Sequence, residues 1–244
     1  MVSPLMSRKR KTPTSSRRLF VTPVRGPKRA RTNPMSRPRF TTLSRQRVNL
    51  GAGPIPPSAK VALRYVAGFI SDGSAFDQVF NLNSIFDPDR TGTGHQPLGR
   101  DQYATLYNRY RVLAVKVKVV FTTDATIVTA GQTVGILAEN SGSAYTNLDA
   151  AFEQQGAIHT MCIPGQTKTF RKTYQLNDVT GVTKTAYKDD RFQSLMSTSP
   201  TEEICLHVLF GSALSAASQA GGVKYRVQLD MITELFDPLP LAQS

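Results

Sequence analysis

The chain has 244 residues, 40% of them hydrophobic and 8% aromatic, with 30 Lys and Arg against 17 Asp and Glu. No run of eighteen apolar residues occurs, so no membrane-spanning helix is expected, and the first residues lack the apolar stretch of a secretory signal. Cys162 and Cys205 are too few for a disulfide framework or a Cys-based zinc site, which makes a reducing compartment the default.

The net charge of +13 is unevenly placed: residues 1–50 hold 14 Lys and Arg and no acid, which leaves the other 194 residues at −1. The basic positions are Arg8, Lys9, Arg10, Lys11, Arg17, Arg18, Arg25, Lys28, Arg29, Arg31, Arg37, Arg39, Arg45 and Arg47, and nine of the 15 prolines fall before residue 58. Like charges with few large apolar side chains cannot offset the entropy of ordering, and proline breaks helices. Residues 1–55 therefore read as a disordered basic arm and 56–244 as the folded domain. An arm of this kind fits a polyanion, bound by counterion release. With Phe20 its sole aromatic before Phe40, base stacking contributes little there. Arg8 to Lys11 and Lys28, Arg29 and Arg31 also form nuclear-import-type clusters, a compatible use of the same charge. A solubility tail and a transit peptide are the rival readings; the proline spacing and the missing apolar helical face count against the transit peptide.

From residue 58 apolar and polar residues alternate, the mark of half-buried strands. Val61, Leu63, Tyr65, Ala67 and Phe69 share one face of the first run, opposite Lys60 and Arg64. A second strand is expected at 76–82. A helix after Asp101 would place Tyr103, Leu106, Tyr107 and Tyr110 on one side. The run 111–122 sets Leu113, Val115, Val117, Val119 and Phe121 against Lys116 and Lys118, and a strand follows at 132–138. A short helix after Thr146 has Asp149 completing a capping box and Gly156 beyond its end. Strands at 157–163 and 167–176 flank Pro164-Gly165-Gln166, a turn signal that predicts a hairpin carrying Lys168, Arg171 and Lys172. A weak ninth strand lies near 192–196, followed by one at 203–210. In 223–235, Val223, Tyr225, Val227, Leu229, Met231 and Leu235 face inward while Lys224, Arg226, Gln228, Asp230 and Glu234 face outward. Eight strands with long, uneven connections and little helix predict a single antiparallel jelly-roll sandwich.

Asp87-Pro88-Asp89-Arg90, then Gly94-His95-Gln96-Pro97-Leu98-Gly99-Arg100-Asp101-Gln102-Tyr103, then Leu106-Tyr107-Asn108-Arg109-Tyr110-Arg111-Val112 resemble the capsid proteins of small circular Rep-encoding single-stranded DNA viruses, the circovirus-like group. The arm departs from the most Arg-dense circovirus arms in its Ser, Thr and Pro. The resemblance implies a self-assembling, non-enzymatic jelly roll, commonly in sixty copies in the simplest icosahedral arrangement. Such a shell packages single-stranded circular DNA in a virion assembled through the host nucleus, with host nuclear import receptors as partners. Sixty such arms would offset roughly 800 phosphates, leaving the rest of a genome to small cations or the shell's inner surface. In jelly rolls of this kind the first, last and third strands adjoin, so Lys60, Arg64, Lys116, Lys118, Lys224 and Arg226 are expected to form one basic patch facing inward. The solvated face of an ordinary sheet is the competing account. Tyr107, Arg109 and Arg111 suit a subunit interface, with packing and an internal ion pair as alternatives.

Other signals point nowhere specific. His95, His159 and His207 have no metal-ligand spacing, and the latter two fit satisfied structural histidines in strands. Cys162 and Cys205 fit small core residues; a Cys162–His207 hydrolase pair lacks an orienting third group. Thr91-Gly92-Thr93-Gly94 has no following Gly-Lys-Ser or Gly-Lys-Thr, and Asp87, Asp89, Asp189 and Asp190 are ordinary turn residues too few for calcium. No metal, cofactor, catalytic residue or membrane insertion is expected. The principal rival function is a cellular or organellar nucleic-acid-binding protein of ribosomal type with a basic tail.

Overall fold

The strands form where apolar residues alternate with polar ones over runs long enough to lay a single face on a core. The computed structural model describes residues 54–72, 77–124, 131–212 and 221–241, so the basic N-terminal run lies outside the described residues. In chain order the elements are β1 (Ser58–Asp72), β2 (Asp77–Asn81), α1 (Arg100–Ala104), β3 (Tyr107–Thr123), β4 (Gln132–Glu139), α2 (Leu148–Phe152), β5 (Ile158–Cys162), β6 (Thr167–Gln175), α3 (Leu176–Val179), β7 (Ser194–Leu195), β8 (Cys205–Ser212) and β9 (Gly221–Pro238).

All pairings between strands are antiparallel. One sheet runs β1-β9-β3-β6, with β7 added beside β3, and the other runs β2-β8-β4-β5. With strands lettered B to I in chain order and β7 omitted, these are the B-I-D-G and C-H-E-F sheets of a jelly roll. The fold is therefore the single antiparallel jelly-roll sandwich anticipated from the alternation.

Both sheets contribute to one core, with Tyr65, Val117, Val227 and Leu229 from the first and Phe80, Ile136, Leu206 and Val208 from the second. Rings meet across the gap, Phe69 against Phe80 at 5.5 Å and Phe210 against Tyr225 at 5.3 Å between centroids. Each large side chain buried there contributes about 1.5–3 kcal/mol. A smaller cluster of Leu137, Leu148, Ala151 and Leu209 lies on the outer face of the second sheet, beneath Tyr145 and Phe152.

Four expectations are corrected. The helix after Asp101 ends at Ala104, and Tyr107 and Tyr110 belong to β3; pairing with β9 and β7 satisfies the backbone there. Within β3 the register shifts between Val112 and Ala114, so Tyr110 and Val112 face the core before the shift and Val115, Val117 and Val119 after it. Leu113 is the extra residue and is absent from the core. Asn147, not Thr146, caps α2, its Oδ1 accepting from the amides of Asp149 at 2.9 Å and Ala150 at 3.4 Å, and this cap lets Leu148 bury in the first turn. Finally, β5 and β6 make no hairpin: β5 pairs with β4 and β6 with β3. Gly165, at φ 78°, turns the chain from one sheet to the other, its amide bonded to the Thr123 carbonyl at 3.1 Å, while the Thr123 amide bonds to Gln166 O at 3.2 Å. Those bonds seat the turn at the end of β3, so the next strand adds to β3.

Candidate nucleic-acid interface

The β1-β9-β3-β6 sheet turns Lys60, Arg64, Lys116, Lys118, Lys224 and Arg226 away from the core on one face, because side chains alternate along each strand and these six share the outward parity. The register arranges the face in cross-strand rungs. One rung reads Arg64, Asp230, Lys116, Thr173; the next Val66, Gln228, Lys118, Arg171; then Gly68, Arg226, Val120, Thr169; then Ile70, Lys224, Thr122, Thr167. At the other end Glu234 stands between Lys60 and Arg111, separated from the Arg64 rung by Ala62, Ile232 and Ala114.

The face is therefore electrostatically divided. Asp230 lies between two cations and bonds Arg64 Nε at 2.5 Å and Nη2 at 3.2 Å. Burial pushes its carboxyl pKa up, but hydrogen bonds from Arg64 and Gln228 and the charges of Arg64 and Lys116 outweigh that and hold it below the ordinary value. Glu234 is bound by Arg111 at 3.1 Å. Towards the other end Lys224 reaches Asp124 at 3.0 Å, while Lys118, Arg171 and Arg226 have no ion-pair partner among the described residues. A groove of about 640 Å³ lies there, lined by Gly68, Ile70, Lys118, Val120, Lys224 and Arg226 among others. The Arg226 Nε sits 3.7 Å from where a Cβ on Gly68 would stand, so the arginine side chain packs beside that glycine.

Arg171 is the residue that sequence reasoning put in another group. It joins the face beside Lys118, whereas Lys172, of opposite parity, donates to Gly156 O at 3.2 Å and lies over the Tyr174 ring. The signal was present in the parity of Phe170 and Tyr174, which point into the core. Of the three suggested interface residues, Tyr107 is buried and donates to Pro56 O at 3.1 Å. Arg111 is buried on Glu234 and over the Phe236 ring. Arg109 is half-exposed, 3.9 Å from Asp190.

Of the resemblance blocks, the Gly94–His95 segment packs against β1. His95 Nε2 meets the Val66 carbonyl at 2.9 Å and its ring lies against that of Tyr65, tilted by 34° with centroids 4.7 Å apart, while Arg100 is buried over the Phe86 ring. Asp89 accepts from the Thr91 amide and the Gln78 side chain, a turn role. Both cysteines are buried and unbridged. Cys162 faces the core, whereas His207 lies on the opposite face of the same sheet, so the two form no catalytic pair.

His207 has a denser environment than the sequence suggested. Its Nδ1 is 2.6 Å from Asp77 Oδ2 and its Nε2 2.9 Å from the Ser141 carbonyl and 3.3 Å from Glu139 Oε1. Tyr145 bonds both carboxylates, its amide to Asp77 and its hydroxyl to Glu139. Burial pushes the imidazole pKa down, but the Asp77 bond and charge, the Ser141 carbonyl and Glu139 together raise it above the ordinary value.

No known family model matches the chain, and no curated protein matches its sequence. Solved structures with some likeness include Desmodium yellow mottle tymovirus, at 11% identity over 100% of both chains with a TM-score of 0.40. Mud crab tombus-like virus gives 14% identity over 80% of this chain and 94% of that one, TM-score 0.44. The 60-mer BFDV capsid protein gives 10% identity over 77% and 97%, TM-score 0.39. Scores this low carry no functional argument, and the jelly-roll assignment stands on the strand order of the two sheets.

Proposed function

We propose that the chain is a viral capsid protein: a non-enzymatic jelly roll that self-assembles into a small icosahedral shell of sixty copies and packages single-stranded circular DNA through its basic arm. The observation that carries the reading is the joint charge layout. An acid-free basic run precedes a jelly roll whose β1-β9-β3-β6 sheet turns Lys60, Arg64, Lys116, Lys118, Lys224 and Arg226 to one outer face. The sequence blocks around His95 and Arg109 add the resemblance to circovirus-like capsids. Residues 1–55 serve as the genome-gathering and nuclear-import arm, the sheet face as the lining of the shell, and symmetric association with counterion release as the mechanism. The protein then resides in the virion and, during assembly, in the host nucleus.

Electron microscopy of the expressed protein with and without residues 1–50 tests the proposal. Closed particles of uniform size, with nucleic acid only in the full-length sample, are expected; monodisperse subunits across a range of salt would overturn it. Arg109, half-exposed and only loosely paired, is the position from which a subunit contact is built. Arg109→Ala should reduce particle yield more than it reduces the solubility of the free subunit, while equal loss of both would assign it to folding.

A further inference from the structure

We infer that the end of the sheet face where Lys118, Arg171 and Arg226 have no ion-pair partner among the described residues is a site for an unpaired nucleotide of a single-stranded polynucleotide, with the base lodged at Arg226 and flanking phosphates on Lys118 and Arg171. This rests on the proposed nucleic-acid role of the face but narrows it to three rungs and to one form of nucleic acid.

Lys118 and Arg171 are directly opposite each other on neighbouring strands, roughly 5 Å apart at the backbone, and no acid is paired with either among the described residues. Arg226 is one rung further along, and Lys224 one beyond that. Between them stand apolar side chains: Ile70 is 66% exposed and Val66 37%, and Val120 lines the groove. Gly68, having no side chain, leaves room for the Arg226 side chain, whose Nε comes 3.7 Å from where a Cβ would stand, and both residues line the groove. A planar cation next to apolar surface in a groove of about 640 Å³ suits a base, which stacks on guanidinium planes and is read without sequence preference.

A duplex keeps its bases stacked inside and offers this face phosphates alone, so the apolar positions would go unused. An acidic peptide would satisfy the cations but has no planar ring for Arg226. The Arg64 end lacks the combination: its groove, of about 470 Å³, contains Asp230 between the two cations, where a phosphate would meet a carboxylate.

Ultraviolet cross-linking tests the site. Full-length protein freed of nucleic acid is irradiated with a short iodouracil-substituted oligodeoxythymidine, at salt high enough to weaken arm contacts, and the adducts are mapped. Adducts are expected within Val66–Ile70 or Lys224–Arg226. Lys118→Gln with Arg226→Gln should cut them by about fivefold or more, whereas Lys184→Gln with Lys188→Gln, an equal charge loss at exposed positions elsewhere, should leave them within about twofold. Circular dichroism establishes that both doubles are folded. Equal loss in the two doubles, or competition by duplex DNA or polyglutamate as strong as by unlabelled oligodeoxythymidine, would overturn the inference. Binding by the full chain with no adduct on this face would overturn the inference alone; absence of any nucleic-acid binding would remove the proposed function with it.

Discussion

His207 and Arg111 are charged or chargeable groups that the domain has withdrawn from water, and each depends on carboxylates brought from other strands. For His207 the direction of the pH effect follows from its raised pKa. The contribution to stability is complete below the ordinary histidine value and is lost as pH rises through the folded-state value. His207→Gln should therefore lower the melting temperature most in mildly acidic buffer and progressively less as pH rises, measured by scanning calorimetry of both proteins. A difference independent of pH would mean that the imidazole acts by packing alone. Arg111, 8% exposed in its side chain with Nε unpartnered, is a buried ion pair. Arg111→Ala should cost about 1–3 kcal/mol, because Glu234 loses its charged hydrogen-bond donor but stays partly exposed and opposite Lys60, while Arg111→Met with Glu234→Met should be close to neutral. Urea unfolding of the two variants separates them. Neither environment was legible in the sequence beyond the guess that His207 is satisfied and that Arg111 forms an ion pair, since Asp77 and Glu234 are more than a hundred residues away from their partners.

At the scale of elements, strands were legible wherever one face is buried, because burial writes a period of two into the sequence. The long runs of β1, β3 and β9 were found with their outward cations, and from them the candidate face. Departures came where hydrogen bonds or a single extra residue decide. The shift at Leu113 reverses parity without any change in composition, and the Pro164-Gly165-Gln166 turn has the residues of a hairpin but is bonded to β3. The five-residue helix at Arg100–Ala104 shows the same competition, since tyrosines at helical spacing also fit a strand once β9 and β7 are available to pair. Short side chains control the other sheet in a similar way. A Cβ on Gly135 would come 2.7 Å from both the Ile158 carbonyl and the Phe152 ring. Gly135→Ala is expected to cost about 1–3 kcal/mol by overpacking and to loosen α2 first, seen as faster amide exchange at Leu148–Phe152 than in β8.

For the whole molecule the charge is organised at two levels, an arm read from composition and a sheet face read from register. These levels predict different salt responses. If the arm neutralises phosphates, the salt dependence of single-strand binding should be steep. Replacing Arg8, Lys9, Arg10 and Lys11 with Gln should reduce the slope of log affinity against log salt by up to about 3, at roughly 0.7 per lost phosphate contact; an unchanged slope would place binding on the domain. The sheet arrangement has a further consequence for how such a chain is made. β9 lies between β1 and β3, yet it is the last of the described strands to leave a ribosome. During synthesis β1 and β3 wait with their facing edges bare, and the five-stranded sheet closes only when Gly221–Pro238 arrives. Unpaired edges of that length recruit neighbouring chains, so translation of many copies side by side favours partners or chaperones that hold the strands apart until the final one inserts.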